Sequence, residues 1–185
     1  SGKGDTSQKL TLMKTSADSL KKSADALNDS SLWEKKKIKK KDEKTGEEIE
    51  VEDYDWDKIT KAVKSFVEDY NDVVKEAGES NTKDVLRNAS WMTGMTDKNS
   101  NMLAKIGITI GKGNKLELDE DALKQADISS LKTVFTGYNS FVSKISQKAT
   151  GISNAANRAS ATYTNNGTYS KTDSSLTSSK IDKEV

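Results

Sequence analysis

Few kinds of side chain here could do chemistry. The chain contains no Cys and no His, which removes thiolate nucleophiles, zinc–thiolate sites, disulfides and the commonest general base and metal ligand. A Ser–Lys dyad or a carboxylate pair would be the remaining machinery. Ser and Lys recur so densely that closeness in sequence selects none of them. Asp119, Glu120 and Asp121 stand together, and a helix start accounts for them: Asp suits the N-cap, and acidic residues in the first turn meet the positive end of the helix dipole. Gly111 and Gly113 form no phosphate loop, because neither a helix nor a Gly-Lys-Ser/Thr ending follows. DYDWD (53–57) begins like a calcium loop, but Lys58 stands where the sharp turn needs Gly and Lys64 where a bidentate Glu belongs. Trp33, Trp56 and Trp91 could stack on bases or sugars. Each borders an apolar position at an element boundary, which predicts packing instead. No catalytic, metal or cofactor site is expected, and the chain does not read as an enzyme.

The elements that would carry these residues are mostly helices. Apolar residues make up 32% of the 185 positions and charged residues another 32%, too few apolar groups for one large core. A thin core between long helices fits, since each helix buries one stripe. Leu10, Met13, Ala17, Leu20, Ala24 and Leu27 step 3-4-3-4-3, a heptad seam over 8–28. Asp55 caps a second helix over 55–77, with Asp57 in its first turn; its seam is Ile59, Val63, Phe66, Tyr70, Val73 and Ala77, widened by Val67 and Val74, and Gly78 stops it. Residues 82–105 read as helical with an interruption at Gly94. A third seam, Phe141, Ile145, Ala149, Ile152, Ala156, Ala159 and Tyr163, predicts a helix over 138–163.

Two hairpins interrupt the helices. Over 33–54, the lysine run 35–41 holds Ile38, an acidic run alternates Glu48, Glu50 and Glu52 with Ile49 and Val51, and DEKTG lies between, with Gly46 free to take positive φ. Read alone, the lysines suit nucleic acid. Faced by an acidic strand, they read as cross-strand charge pairs worth roughly 0.2–1 kcal/mol each, on a hairpin projecting into solvent. Over 106–118, Ile106, Ile108 and Ile110 alternate, GKGN turns the chain, and Leu116 and Leu118 return to Asp119 and a new helix. The expected fold is mainly α: about four helices with two small inserted hairpins, in a single elongated domain. A polar tail over 164–185 leads toward a truncated coiled coil.

The net charge is +1, which gives no push toward nucleic acid or an anionic membrane. No stretch approaches the ~20 apolar residues that cross a bilayer, and the N-terminus has no apolar signal-peptide core. The first residue is Ser, so the chain reads as an excised fragment or a short relative of something longer. A chain without Cys or Pro refolds without disulfide or prolyl steps, which suits passage through a channel in the unfolded state.

Four pieces in order resemble a known family. FVEDYNDVV (66–74) looks like a helix of the bacterial flagellar filament cap family, hook-associated protein 2. NMLAKIGITIGKGNKLELDEDALKQA (101–126) is similar to its C-terminal signature, SSLKTVFTG (129–137) to the segment that follows, and GTYSKTDSSLTSSKIDKEV to its run into a terminal coiled coil. The likeness spans roughly 55–185; 8–28 and 33–54 match no motif. Members are usually longer, with β-rich outer domains that are absent or reduced here. The resemblance implies an extracellular structural protein of the flagellum, exported without a cleaved signal peptide, forming a ring-like homo-oligomer at the filament tip and assisting flagellin folding and insertion. Some members are linked to adhesion, so a host surface or mucin is a further implied partner; a flagellin or hook–filament junction relative is the alternative reading. The signature positions are Phe66, Tyr70, Asn71, Ile106, Gly107, Ile108, Leu116, Leu118, Asp119 and Phe135. Seams open to partner helices are expected at Leu10, Met13, Leu20, Leu27, Ile145, Ile152, Ala156 and Tyr163, with weak association or a monomer while the tail is cut short.

Overall fold

A computed structural model of the protein describes residues 4–165. The first heptad seam forms α1 (Ser7–Leu27), capped by Thr6, whose hydroxyl accepts from the Lys9 N–H. A 3-10 turn, Ser30–Trp33, leads to strands β1 (Lys36–Lys41) and β2 (Glu48–Asp53). Helix α2 (Trp56–Ala77) follows, and Asp55 caps it by accepting from the Lys58 N–H. Then come α3 (Lys83–Lys98), α4 (Ser100–Ala104), β3 (Ile108–Ile110), β4 (Leu116–Leu118), α5 (Glu120–Gln125), α6 (Ile128–Phe135) and α7 (Phe141–Asn165). Among the described residues the fold is mainly α with two separate two-stranded antiparallel sheets, β1–β2 and β3–β4.

The core is the set of seams folded onto one another. α1 packs along α7 and α2, and α3 packs on α7 and α2. Every residue of the α1 seam is buried, as are Ile59, Val63, Phe66, Tyr70, Val73 and Ala77 of α2 and Phe141, Ile145, Ala149, Ile152 and Ala156 of α7. Polar pairs lock the antiparallel register of α1 and α7. Ser153 donates to Asp18 (2.6 Å) and Ser146 to Asp25 (2.7 Å). The two carboxylates and the two hydroxyls are each one heptad apart and run in opposite directions, so a slip of one residue would break both bonds.

Several boundaries differ from the sequence reading. Gly94 does not interrupt α3; an added Cβ there would meet nothing within 4 Å, so the glycine sits on an open face of a helix fixed by buried Met92 and Thr96. The break falls at Asn99. The helix expected after Asp119 is two short helices, because Ala126 is extended (ψ 150°). α7 begins at Phe141 rather than 138, after Gly137 at φ 104°. Gly78 ends α2 without a left-handed turn, at φ −66°; an added Cβ would lie 2.4 Å from the Val74 carbonyl oxygen. The polar tail expected to lead into a coiled coil lies almost wholly outside the described residues.

Candidate assembly site

The signature residues, scattered over seventy positions of sequence, gather around Phe66, Tyr70 and Asn71 of α2. Phe66 is ringed by Tyr70 (centroids 6.2 Å apart), Phe135 (6.4 Å) and Phe141 (6.3 Å). Trp33 stacks on Phe135 at 5.8 Å and donates its indole N–H to the Leu27 carbonyl (2.7 Å), so this tryptophan belongs to the core. Tyr70 donates to the Thr96 hydroxyl (2.7 Å), which donates on to the Met92 carbonyl. Burial pushes the Tyr70 phenol up to about 12, outweighing the Thr96 contact, so it stays a neutral donor tying α2 to α3.

Next to Tyr70, Asn71 holds the second hairpin. Its carboxamide donates to the Leu116 carbonyl (3.0 Å) and accepts from the Leu116 N–H (2.7 Å). The strands pair as Ile108–Leu118, Thr109–Glu117 and Ile110–Leu116, and the Gly111 N–H donates to the Lys115 carbonyl. Alternation along an antiparallel ladder then turns the backbone groups of Leu116 outward. Asn71 supplies the bonds that a third strand would. Ile106, Ile108 and Leu116 are buried, Leu118 half-buried. Gly107 sits at φ 89°, where a Cβ would lie 2.7 Å from the Asp119 carbonyl oxygen; its own carbonyl accepts from the Asp119 N–H (2.8 Å). Asp119 in turn caps α5 by accepting from the Ala122 N–H (3.1 Å). The hairpin is thus clamped to α2 on one side and hands the chain to α5 on the other.

A second carboxamide repeats the device. Asn28, at the end of α1, accepts from the Gly137 N–H (2.9 Å) and donates to the Gly137 carbonyl (3.2 Å). Near the N-terminus, buried Asp5 accepts from the Ser80 hydroxyl, the backbone N–H groups of Asn81 and Thr82, and the Thr82 hydroxyl. Burial alone would raise the Asp5 carboxyl; the Asn81 N–H and the Thr82 and Ser80 groups outweigh it and hold it below the ordinary Asp value. It ties the chain ahead of α1 to the entry of α3. Sequence reasoning missed Asp5 and Asn28; their partners lie 75 to 109 residues away and no local pattern announces them.

The seam residues Leu10, Met13, Leu20, Leu27, Ile145, Ile152 and Ala156 are covered by this chain's own helices. A partner would meet the outer faces instead, and Tyr163 lies in the last turns of α7. Two exposed features stand out. One is the charged hairpin: only Lys40–Asp53 closes as an ion pair (2.6 Å), while Lys37, Lys39 and Lys41 stand in register with Glu52, Glu50 and Glu48 without closing an ion pair within 4 Å. The other is Trp91, 53% exposed against expectation. Lys148 sits over its ring at 4.5 Å, and both line a cleft of about 530 Å³ with Lys98 and Lys144. Among the described residues no group of three or more carboxylates is placed to hold a metal ion, and no helix is long and apolar enough to cross a membrane.

The frame is mainly α and carries a hairpin clamped to α2 through Asn71. The family described as flagellar hook-associated protein 2 C-terminus matches residues 79–184, more than half of the chain, and the chain belongs to that family. Its role is therefore structural and related to the flagellar filament cap, a component of the filament tip outside the cell. The match leaves α1, the charged hairpin and α2 outside it. No curated protein and no solved structure matches the chain.

Proposed function

We propose that the chain acts as a filament-cap assembly protein. It self-associates at the tip of the growing flagellum, receives exported flagellin and assists its folding and insertion. Membership of the cap family over 79–184 carries this reading. The clamps support it: Asn71, Asn28 and Asp5 tie distant segments into one rigid frame that can hold a position against arriving subunits. In this reading Leu10, Met13, Leu20, Leu27, Ile145, Ile152 and Ala156 serve assembly by stiffening the α1–α7 pair. Export proceeds without a cleaved signal peptide, and the absence of Cys and Pro suits refolding after transit. The test is complementation in cells that lack their own cap protein. Expression of this protein restores filaments. Cells that keep shedding monomeric flagellin into the medium would refute the reading.

One observation favours a second role in surface adhesion. Trp91 lies open beside Lys98, Lys144 and Lys148, an aromatic face flanked by cations that suits an acidic mucin-type glycan. Adding such glycans then changes tryptophan fluorescence in the wild type and not in Trp91→Phe. An unchanged wild-type spectrum would refute this role.

A further inference from the structure

The charged hairpin has a property that the fold does not use. Asp42 N–H donates to the Glu47 carbonyl (2.8 Å), in the same register as the β1–β2 pairs. Antiparallel pairs alternate between those that exchange backbone bonds and those that turn N–H and C=O away from each other. Counting from Asp42–Glu47, the residues with outward-facing backbone groups are Lys37, Lys39 and Lys41 on one edge and Glu48, Glu50 and Glu52 on the other. All six are exposed, and none closes an ion pair within 4 Å inside the hairpin; the sole hairpin ion pair is Lys40–Asp53. The hairpin therefore has one wholly basic and one wholly acidic edge, both with open hydrogen-bonding groups.

We propose that these edges join copies of this chain head to tail, β2 of one hairpin receiving β1 of the next. Antiparallel addition sets Glu48, Glu50 and Glu52 opposite Lys41, Lys39 and Lys37 of the neighbour, the correspondence the hairpin already uses internally. The same residues carry the outward N–H and C=O groups, so backbone bonds and charge pairs select one register. Each Glu then lies between two Lys. Joining two β1 edges or two β2 edges would set three like charges against three, which is unfavourable. The contact is consequently heterologous, the kind that closes into rings or runs on as an open array. This deepens the self-association in the cap reading and rests on that reading only for its biological use.

Sedimentation velocity of the full chain over a dilution series, at about 0.05 M and about 0.5 M salt, tests it, because screening weakens exposed charge pairs. The wild type shows a sedimentation coefficient that rises with concentration at low salt and loses that rise at high salt. E48K/E50K/E52K loses the rise at both. Adding K37E/K39E/K41E swaps both edges, preserves the pairing inside the hairpin and restores the rise. Glu50→Pro removes one outward N–H that the hairpin itself does not use, and it weakens the association. Circular dichroism confirms that each variant is folded. A concentration-independent wild type overturns the proposal, as does a folded charge-reversed variant that associates like the wild type, or a folded six-fold swap that stays monomeric. A chain that binds flagellin yet stays monomeric sinks this contact and leaves the flagellin-binding part of the cap reading standing. One that associates through the hairpin yet ignores flagellin does the reverse.

Discussion

Asn71→Ala removes both bonds that hold the outer edge of β4. The Leu116 N–H loses its acceptor at 2.7 Å and the Leu116 carbonyl its donor at 3.0 Å. Each hydrogen bond is worth about 0.5–1.5 kcal/mol net, and a buried group left unpaired costs about 1–3 kcal/mol. Asn71 is only half-buried, so water recovers part of the penalty, and a loss of about 2 kcal/mol is expected. For a chain of this size that lowers Tm by roughly 4–8 °C. Asn71→Asp keeps an acceptor for the N–H but turns a carboxylate on the Leu116 carbonyl, so it does not rescue. Thermal unfolding by circular dichroism gives the global effect, and amide exchange gives the local one. Protection falls first at Leu116 and across 106–118, while α1 and α7 change with the global value. If Asn71→Ala melts within 1 °C of wild type and leaves exchange at Leu116 unchanged, the carboxamide is not what fixes the hairpin.

Three further outcomes follow from the same contacts. The folded-state value of Asp5 lies below its unfolded value, so its contribution is fully present above the unfolded value of about 3.9 and is lost as pH falls through the folded value. Asp5→Asn therefore lowers Tm at neutral pH, and the gap to wild type narrows below about pH 4 in pH-resolved melts; a constant gap contradicts the assigned bonds. Gly107→Ala forces a side chain into φ 89° against the Asp119 carbonyl and costs about 2–4 kcal/mol by denaturant unfolding, of which about 1–2 is the left-handed backbone alone. Ile145→Asp places an unpaired charge where the side chain is fully buried and costs about 4 kcal/mol or more; a wild-type melting curve would mean α7 does not face the core.

The parts of the fold legible in sequence were those encoded by local period. Seams stepping three and four gave α1, α2 and α7, because Leu10, Met13, Ala17, Leu20, Ala24 and Leu27, Ile59, Val63, Phe66, Tyr70, Val73 and Ala77, and Phe141, Ile145, Ala149, Ile152 and Ala156 are all buried. Alternation and glycine turns gave both hairpins, with Gly46 at φ 71° and Gly113 at φ 68° as turn chemistry requires. Gly94 misled because the cost of a mid-helix glycine, about 1 kcal/mol, is smaller than what burial of Met92 and Thr96 around it returns. Trp91 misled because an apolar neighbour says nothing about which way a helix face points once α3 is laid on α7. The clamps were out of reach for another reason. Asn71 was recognisable only as part of a resemblance, and its partner backbone 45 residues on is specified by the assembled fold. Asp5 and Asn28 lie in stretches with no motif, and each bonds across more than seventy positions.

Sedimenting this protein with monomeric flagellin from the same organism tests the cap-type assembly role. A discrete larger species containing both proteins is expected, with Asn71→Ala forming less of it at temperatures where its hairpin has loosened. Two independent boundaries, unchanged from those of the separate proteins at every ratio, would contradict it.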